Sequence, residues 1–297
     1  MTRFELALDT NVTLLETPIW DHRTKRLYCT DLFRGDIYAF DPATGESELF
    51  ATEGGAIGSA VPTSDPNRLL CALDYGICLY DLTTKRFTRL IDPNGGNKNN
   101  RYNDTRVDAC GRIFASTVSK LYGTAEYSPD MRGDFYMIDT DGTMKTIVSG
   151  IHQYNAIVWN ARNTEMFVID TFNGKLLSFD YDIARGPVSG PRERLDLSGI
   201  GTPDGMSIDA EDTLYICHWA GKISVWDKTL ACKEIIDFPV DQVCCGGFAG
   251  DDMKDFYVAT ARYAYTDEQM KDRRGAGGLF RARVETAGTA DHFYPIK

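Results

Sequence analysis

The chain has 297 residues, of which 43% are hydrophobic, 25% charged and 11% aromatic, enough apolar material for a folded core and too much for disorder to dominate. Lys and Arg total 32 against 43 Asp and Glu, a net charge of −11; with no basic run to offset it, this argues against a nucleic-acid partner. The opening Met1-Thr-Arg-Phe-Glu-Leu-Ala-Leu-Asp9 places two acids where a secretion signal needs an apolar stretch, and no window approaches the ~20 apolar residues of a membrane helix, so a soluble cytoplasmic protein without a membrane partner is expected.

Along the chain one phrase recurs: Gly, any residue, apolar, two residues, apolar, Asp. Its copies are Gly35 to Asp41, Gly133 to Asp139, Gly174 to Asp180 and Gly221 to Asp227, with a shortened copy at Gly76 to Asp81 and a degenerate one at Gly277 to Arg283. Each alternates with period 2, as a strand with one buried face does, and the turn-formers that follow predict a hairpin to another strand. Upstream of each copy a second strand opens on a bulky pair: Leu27-Tyr28, Leu69-Leu70, Ile113-Phe114, Met166-Phe167, Leu214-Tyr215 and Phe256-Tyr257. Successive pairs lie 42, 44, 53, 48 and 42 residues apart, and a further short strand precedes each. About four strands per unit, at a period in the 40s with almost no helical periodicity, predict an all-β, six-bladed β-propeller occupying residues 1–297 as one domain. The N-terminal residues Glu5 to Leu14 are expected to pair with the last blade, because a closed ring must join its ends. Trp20-Asp21 and Trp226-Asp227 fall at different phases of the repeat, which sets aside a WD-repeat scaffold.

Eight cysteines contain no C-x-x-C and are expected to be reduced thiols. The residue after each bulky pair is Cys29, Cys71, Ala115, Val168, Ile216 or Val258, a slot for small apolar packing in which free Cys acts as a hydrophobe. Cys244-Cys245 lies close to the central channel and has no such simple reading.

Counting back 11 or 12 residues from each bulky pair reaches the start of the innermost strand. Four of the six slots hold Glu16, Asn103, Asn155 and Asp204, and the other two hold Gly58-Ser59 and Cys244-Cys245. Rotation about the propeller axis places one phase in one ring, so two carboxylates and two carboxamides converge at one mouth of the channel. A single Asn or Asp at this phase reads as a turn residue. Four together predict a divalent cation, since converging carboxylates repel unless a proton or cation lies between them. Hard oxygen donors favour Ca2+, with Mg2+ and Mn2+ as alternatives and Zn2+ less suited by softness; three or four protein oxygens leave Ca2+, which takes ~6–8 ligands, open to water and substrate. Positions shortly after the bulky pairs reach the same mouth, among them Lys120, His218 and Trp219, with Arg101 on the approach to Asn103. His218 reads either as a general base or as a rim residue that meets substrate.

At these positions the sequence resembles the SMP-30/gluconolactonase/luciferin-regenerating-enzyme family, regucalcin included. The resemblance rests on Glu16-Thr-Pro-Ile-Trp-Asp21, Arg101-Tyr-Asn-Asp-Thr-Arg-Val-Asp108, Asn155-Ala-Ile-Val-Trp159, Pro203-Asp-Gly-Met-Ser-Ile-Asp209, Cys245-Gly-Gly-Phe248, Tyr257-Val-Ala-Thr-Ala-Arg262 and Ala276-Gly-Gly-Leu-Phe280. It implies a six-bladed propeller holding one divalent cation on Glu16, Asn155 and Asp204, with Arg101 and Asn103 meeting substrate. The family usually has Gly where this chain has Thr17, Thr105 and Ala156, and Lys120 stands where animal members often carry a carboxylate, which favours an anionic or hydroxyl-rich substrate. Trp219 offers the kind of face on which sugar rings stack.

The activity implied is metal-dependent hydrolysis of a sugar lactone to its aldonic acid, with Asp204 as ligand and general base and Lys120, His218 and Trp219 as further substrate contacts. Two alternatives use the same site: a phosphoester or organophosphate hydrolase, and a non-catalytic calcium-binding propeller. The partner expected is a small sugar lactone, and the protein a monomer or weak homo-oligomer. The segments Lys120 to Arg132 and Ala264 to Gly275 are expected to shape the entrance.

Overall fold

The structure is a computed structural model and describes residues 3–52 and 55–296. Among the described residues six antiparallel sheets follow one another along the chain, each of four main strands, and form the blades of a β-propeller. Blade 1 runs Leu15–Asp21, Arg26–Asp31, Asp36–Phe40, Ser47–Phe50, from the channel outward. The innermost strands of blades 2 to 6 are Ile57–Pro62, Asn100–Val107, Tyr154–Trp159, Pro203–Ile208 and Val243–Ala249. The bulky pairs all lie in second strands and the Gly-led phrases in third strands, as the repeat predicts. Four-residue helix Asp267–Met270, capped by Thr266, is the only α-helix among the described residues.

The ring closes through its first strand. Glu5–Leu8 pairs antiparallel with Leu279–Arg283 and becomes the outer strand of blade 6, so N-terminal chain completes a C-terminal sheet. Such pairing satisfies an edge that would otherwise present unpaired N–H and C=O groups.

The apolar core lies between blades. Cys29 is buried with Leu15, Trp20, Phe40 and Tyr257 where blade 1 meets blade 6, and Cys71 with Tyr28, Ile37 and Ile57 where blade 2 meets blade 1. Both thiols therefore fill packing slots, and all eight cysteines are free. Between blades 3 and 4 an apolar cluster around Phe114, Phe135, Trp159 and Phe179 is joined by a polar network: the buried Arg112 donates from Nε to Asp108 Oδ2 (2.6 Å) and from a terminal nitrogen to Tyr181 Oη (2.9 Å), while Tyr181 donates to Asp108.

One irregularity repeats in every blade and positions the site. Each innermost strand shifts register against its neighbour at the same phase: between Glu16 and Ile19, Ile57 and Ser59, Tyr102 and Thr105, Asn155 and Ile157, Pro203 and Met206, and Val243 and Cys245. A bulge inserts an extra residue, bends the strand and re-aims its side chains. Six bulges at one level thus turn the residues of the oxygen ring toward the axis. The channel is narrow there: a Cβ on Gly58 would strike the Asn103 carbonyl, and one on Gly205 would strike Cys245.

At the opposite mouth the C-terminal segment crosses beneath the blades. Thr289 donates its N–H to the Ile208 carbonyl (3.1 Å), Tyr294 exchanges hydrogen bonds with Pro62 and Ser64, and Asp291 lies 3.8 Å from the Arg106 guanidinium. No helix among the described residues is long and apolar enough to cross a membrane.

Candidate functional site

The first-strand bulges carry Glu16, Asn103, Asn155 and Asp204 to one level of the channel, beneath a cavity of about 290 Å3. Glu16, Arg101, Asn103, Lys120, Asp204 and Trp219 all line it. Carboxylate oxygens of Glu16 and Asp204 and the Cys244 sulfur lie within 4.8 Å of one another. Asn103 donates from Nδ2 to Asn155 Oδ1, and Asn155 Nδ2 donates to Thr171 Oγ1 (2.7 Å), so the two carboxamides are locked side by side. The Arg101 guanidinium donates to Asn103 Oδ1 (2.7 Å), and the Trp219 indole N–H to Asp204 Oδ2 (2.7 Å).

Two residues next to the ring hold a left-handed backbone, Thr17 at φ 49° and Ala156 at φ 49°. Both stand where the family resemblance predicts Gly, so the bulge geometry survives a side chain at the cost of local strain. At Thr17 the strain is fixed by a thiol: the Thr17 N–H points at Cys245 Sγ (2.8 Å), and Cys245 donates its own S–H to Glu16 Oε2 (3.0 Å).

The electrostatics follow from burial. Desolvation, reinforced by the Asp104 charge and opposed by the Cys245 hydrogen bond, raises Glu16 to about 7. Burial and the nearby Glu16 charge drive Asp204 well above the usual carboxylate range, with the Trp219 hydrogen bond opposing. Arg101 is lowered by burial even though Glu16, Asp74 and Asp204 support its charge. Two carboxylates that resist ionisation together accept a divalent cation, which removes both the repulsion and the desolvation cost. The donor set is mostly hard oxygen and fits such an ion; the Cys244 sulfur adds one softer atom.

His218 does not join the site, which corrects its expected place against substrate. Its side chain is fully buried within blade 5, with Nε2 on Ser224 Oγ (2.8 Å) and Nδ1 on the Gly201 carbonyl (3.2 Å). The strand ends at His218, and Trp219, the first residue of the turn that follows, takes the cavity side. Lys120 reaches the cavity, where its ammonium pairs with Asp74 (2.7 Å) in a partly exposed ion pair. The entrance is built by Lys120, Tyr122, Gly123 and Thr124 of the first expected segment; no residue of 264–275 lines the cavity, and Tyr263 stands there instead. The thiols of Cys244 and Cys245 are the additions that the oxygen pattern did not supply.

A propeller whose channel carries an acidic, carboxamide-flanked floor under one cavity defines a class of small-molecule sites built at the mouth of a closed β-structure. The chain belongs to the SMP-30/gluconolactonase/LRE-like family, whose model matches residues 14–262. It is 29% identical to the putative sugar lactone lactonase YvrE of Bacillus subtilis over 95% of both chains. Identity is also 29% to the pentonolactonase XacC of Haloferax volcanii, over 95% of this chain and 94% of that one. The crystal structure of a calcium-binding protein, regucalcin, from Agrobacterium tumefaciens superposes with a TM-score of 0.91 at 23% identity, covering 99% of this chain and 98% of the other.

Proposed function

We propose that this protein is a divalent-cation-dependent lactonase that opens a sugar lactone to the aldonic acid. The observation that carries the reading is the convergence of the Glu16 and Asp204 carboxylates on one face of a cavity whose wall also holds Arg101, Asn103 and Trp219. The lactonase names of YvrE and XacC support the reaction class.

Glu16, Asp204 and Asn155 would hold the cation; Asn155 Oδ1 keeps a second lone pair after accepting from Asn103. When bound, the ion supplies Lewis acidity toward the lactone carbonyl and lowers the pKa of water. Asp204 takes the proton of the attacking water through the oxygen that Trp219 does not hold, and Trp219 fixes the carboxylate plane for that transfer. Water oxygen bonds to the carbonyl carbon, the ring C–O bond breaks, and the proton passes to the departing ring oxygen, leaving a hydroxyl and a carboxyl group. Arg101, held by Asn103, orients the substrate and balances the carboxylate as it forms. His218 lies outside the cavity and takes no part.

The test is a pH-indicator assay on a panel of pentono- and hexonolactones, with and without chelator. Turnover that vanishes with chelator and returns with Ca2+, Mg2+, Mn2+ or Zn2+ is expected, and Asp204→Ala should lower it by at least ~100-fold. Full turnover by Asp204→Ala would remove Asp204 from the mechanism; hydrolysis of a chromogenic phosphotriester in preference to every lactone would replace the reaction class.

A further inference from the structure

A continuous wall of aromatic rings rises from the carboxylate floor to the rim, and the reaction above uses only its lowest member. Trp219, held by Asp204, stands 6.5 Å from Tyr263 between ring centroids. Tyr263 stacks on Phe33 at 5.6 Å with 23° between the planes. Phe33 is 47% exposed, an apolar ring left in solvent at the upper edge of the cavity. Single exposed hydrophobic residues are ordinary, but this one ends a ladder supplied by blades 5, 6 and 1. Across the cavity stands Tyr122, backed by Tyr127 at 5.1 Å.

Volume and charge narrow what the wall could hold. A cavity of about 290 Å3 is close to the size at which pockets begin to enclose drug-sized ligands, roughly 300 Å3, and exceeds what one lactone ring fills. Of its two cations, Lys120 pairs with Asp74, and Arg101, which donates to Asn103, serves the lactone end of the substrate. The remaining polar groups suit hydroxyls: Thr202, Thr171, whose hydroxyl accepts from Asn155 and keeps its own proton to donate, and Gln153, with a buried Oε1 that has no partner among the described residues.

The geometry points to a second sugar subsite: the exposed ring of Phe33, backed by Tyr263, stacks a glycosyl ring attached to the lactone, so that the preferred substrate is a two-ring aldonolactone. This rests on the lactonase reading and names its substrate class. The flat C–H face of a pyranose meets an aromatic face as other apolar groups do, while its hydroxyl edge reaches the threonines.

The experiment compares kcat/KM of the cation-loaded full chain on glucono-δ-lactone, cellobiono-δ-lactone and the aryl lactone dihydrocoumarin. The two-ring sugar lactone should exceed the one-ring lactone about tenfold, chiefly through KM. Phe33→Ala and Tyr263→Ala should each lower the two-ring value several times more than the one-ring value. Equal values for the two sugars, equal losses in the variants, or preference for dihydrocoumarin would overturn the subsite. Calorimetric titration with cellobionic and gluconic acids reads the same subsite without turnover: tighter binding of the two-ring acid, lost in Phe33→Ala, supports it, and equal binding overturns it. Failure of every lactone to be hydrolysed would instead remove the reaction while the titration still decides the subsite.

Discussion

At the scale of single residues, the site is a contest between burial and charge. Glu16 sits at about 7 rather than near 4.5 because its carboxylate is desolvated. A group whose folded value is raised makes the folded state bind more protons than the unfolded chain between the two values, so its contribution to stability is present below about pH 4.5 and lost as pH rises toward 7. Chelator-treated protein is therefore expected to lose a few kcal/mol between pH 5 and pH 7.5, and a saturating divalent cation should flatten that slope; urea melts at the two pH values, with and without Ca2+, check both. The oxygen ring was legible in the sequence because Glu16, Asn103, Asn155 and Asp204 repeat at one phase. Cys244 and Cys245 were found at the same phase, but a thiol is not a hard oxygen donor, so the pattern that singled out the other four gave them no role. His218 and Trp219 were both expected at the mouth, but the strand ends between them: His218, its last residue, is buried on Ser224, and only Trp219 in the following turn meets the cavity.

At the scale of strands and blades, most of the molecule was written in its repeats. The bulky pairs and Gly-led phrases located second and third strands because both recur once per unit at a near-constant spacing, although the second strands are buried along nearly their whole length and not on alternate residues. The six bulges were hidden, because a bulge changes backbone geometry without requiring a particular residue, and the offset of 11 in some units and 12 in others reflects the hairpin between first and second strands instead; Thr17 and Ala156 occupy their bulges in place of Gly. The polar network between blades 3 and 4 was equally silent, since nothing in the sequence around Asp108 and Arg112 points to Tyr181 in the next sheet. Their side chains are 0% and 2% exposed, so Arg112→Ala leaves a buried carboxylate without its cation and is expected to cost about 3–5 kcal/mol. Denaturant unfolding measures this, and Asp108→Asn/Arg112→Met together should recover part of the loss, because the uncompensated charge is then gone.

At the scale of the whole molecule, the ring holds because its ends are sewn into one sheet. Removing residues 1–9 deletes the strand Glu5–Leu8 and bares the edge of Leu279–Arg283. The truncated chain should melt at least ~5 °C lower and elute partly as aggregate; differential scanning fluorimetry and size-exclusion chromatography read the two effects. The repeated bulge has a wider consequence. Because each blade delivers its contribution from a separate local defect, backed by packing that the neighbouring sheets provide, chemistry and scaffold are inherited on different residues. An exchange at one position of that ring is felt first by the adjoining blade, because Asn103 holds Asn155 and Cys245 holds Glu16 across blade boundaries, while the outer strands stay as they were.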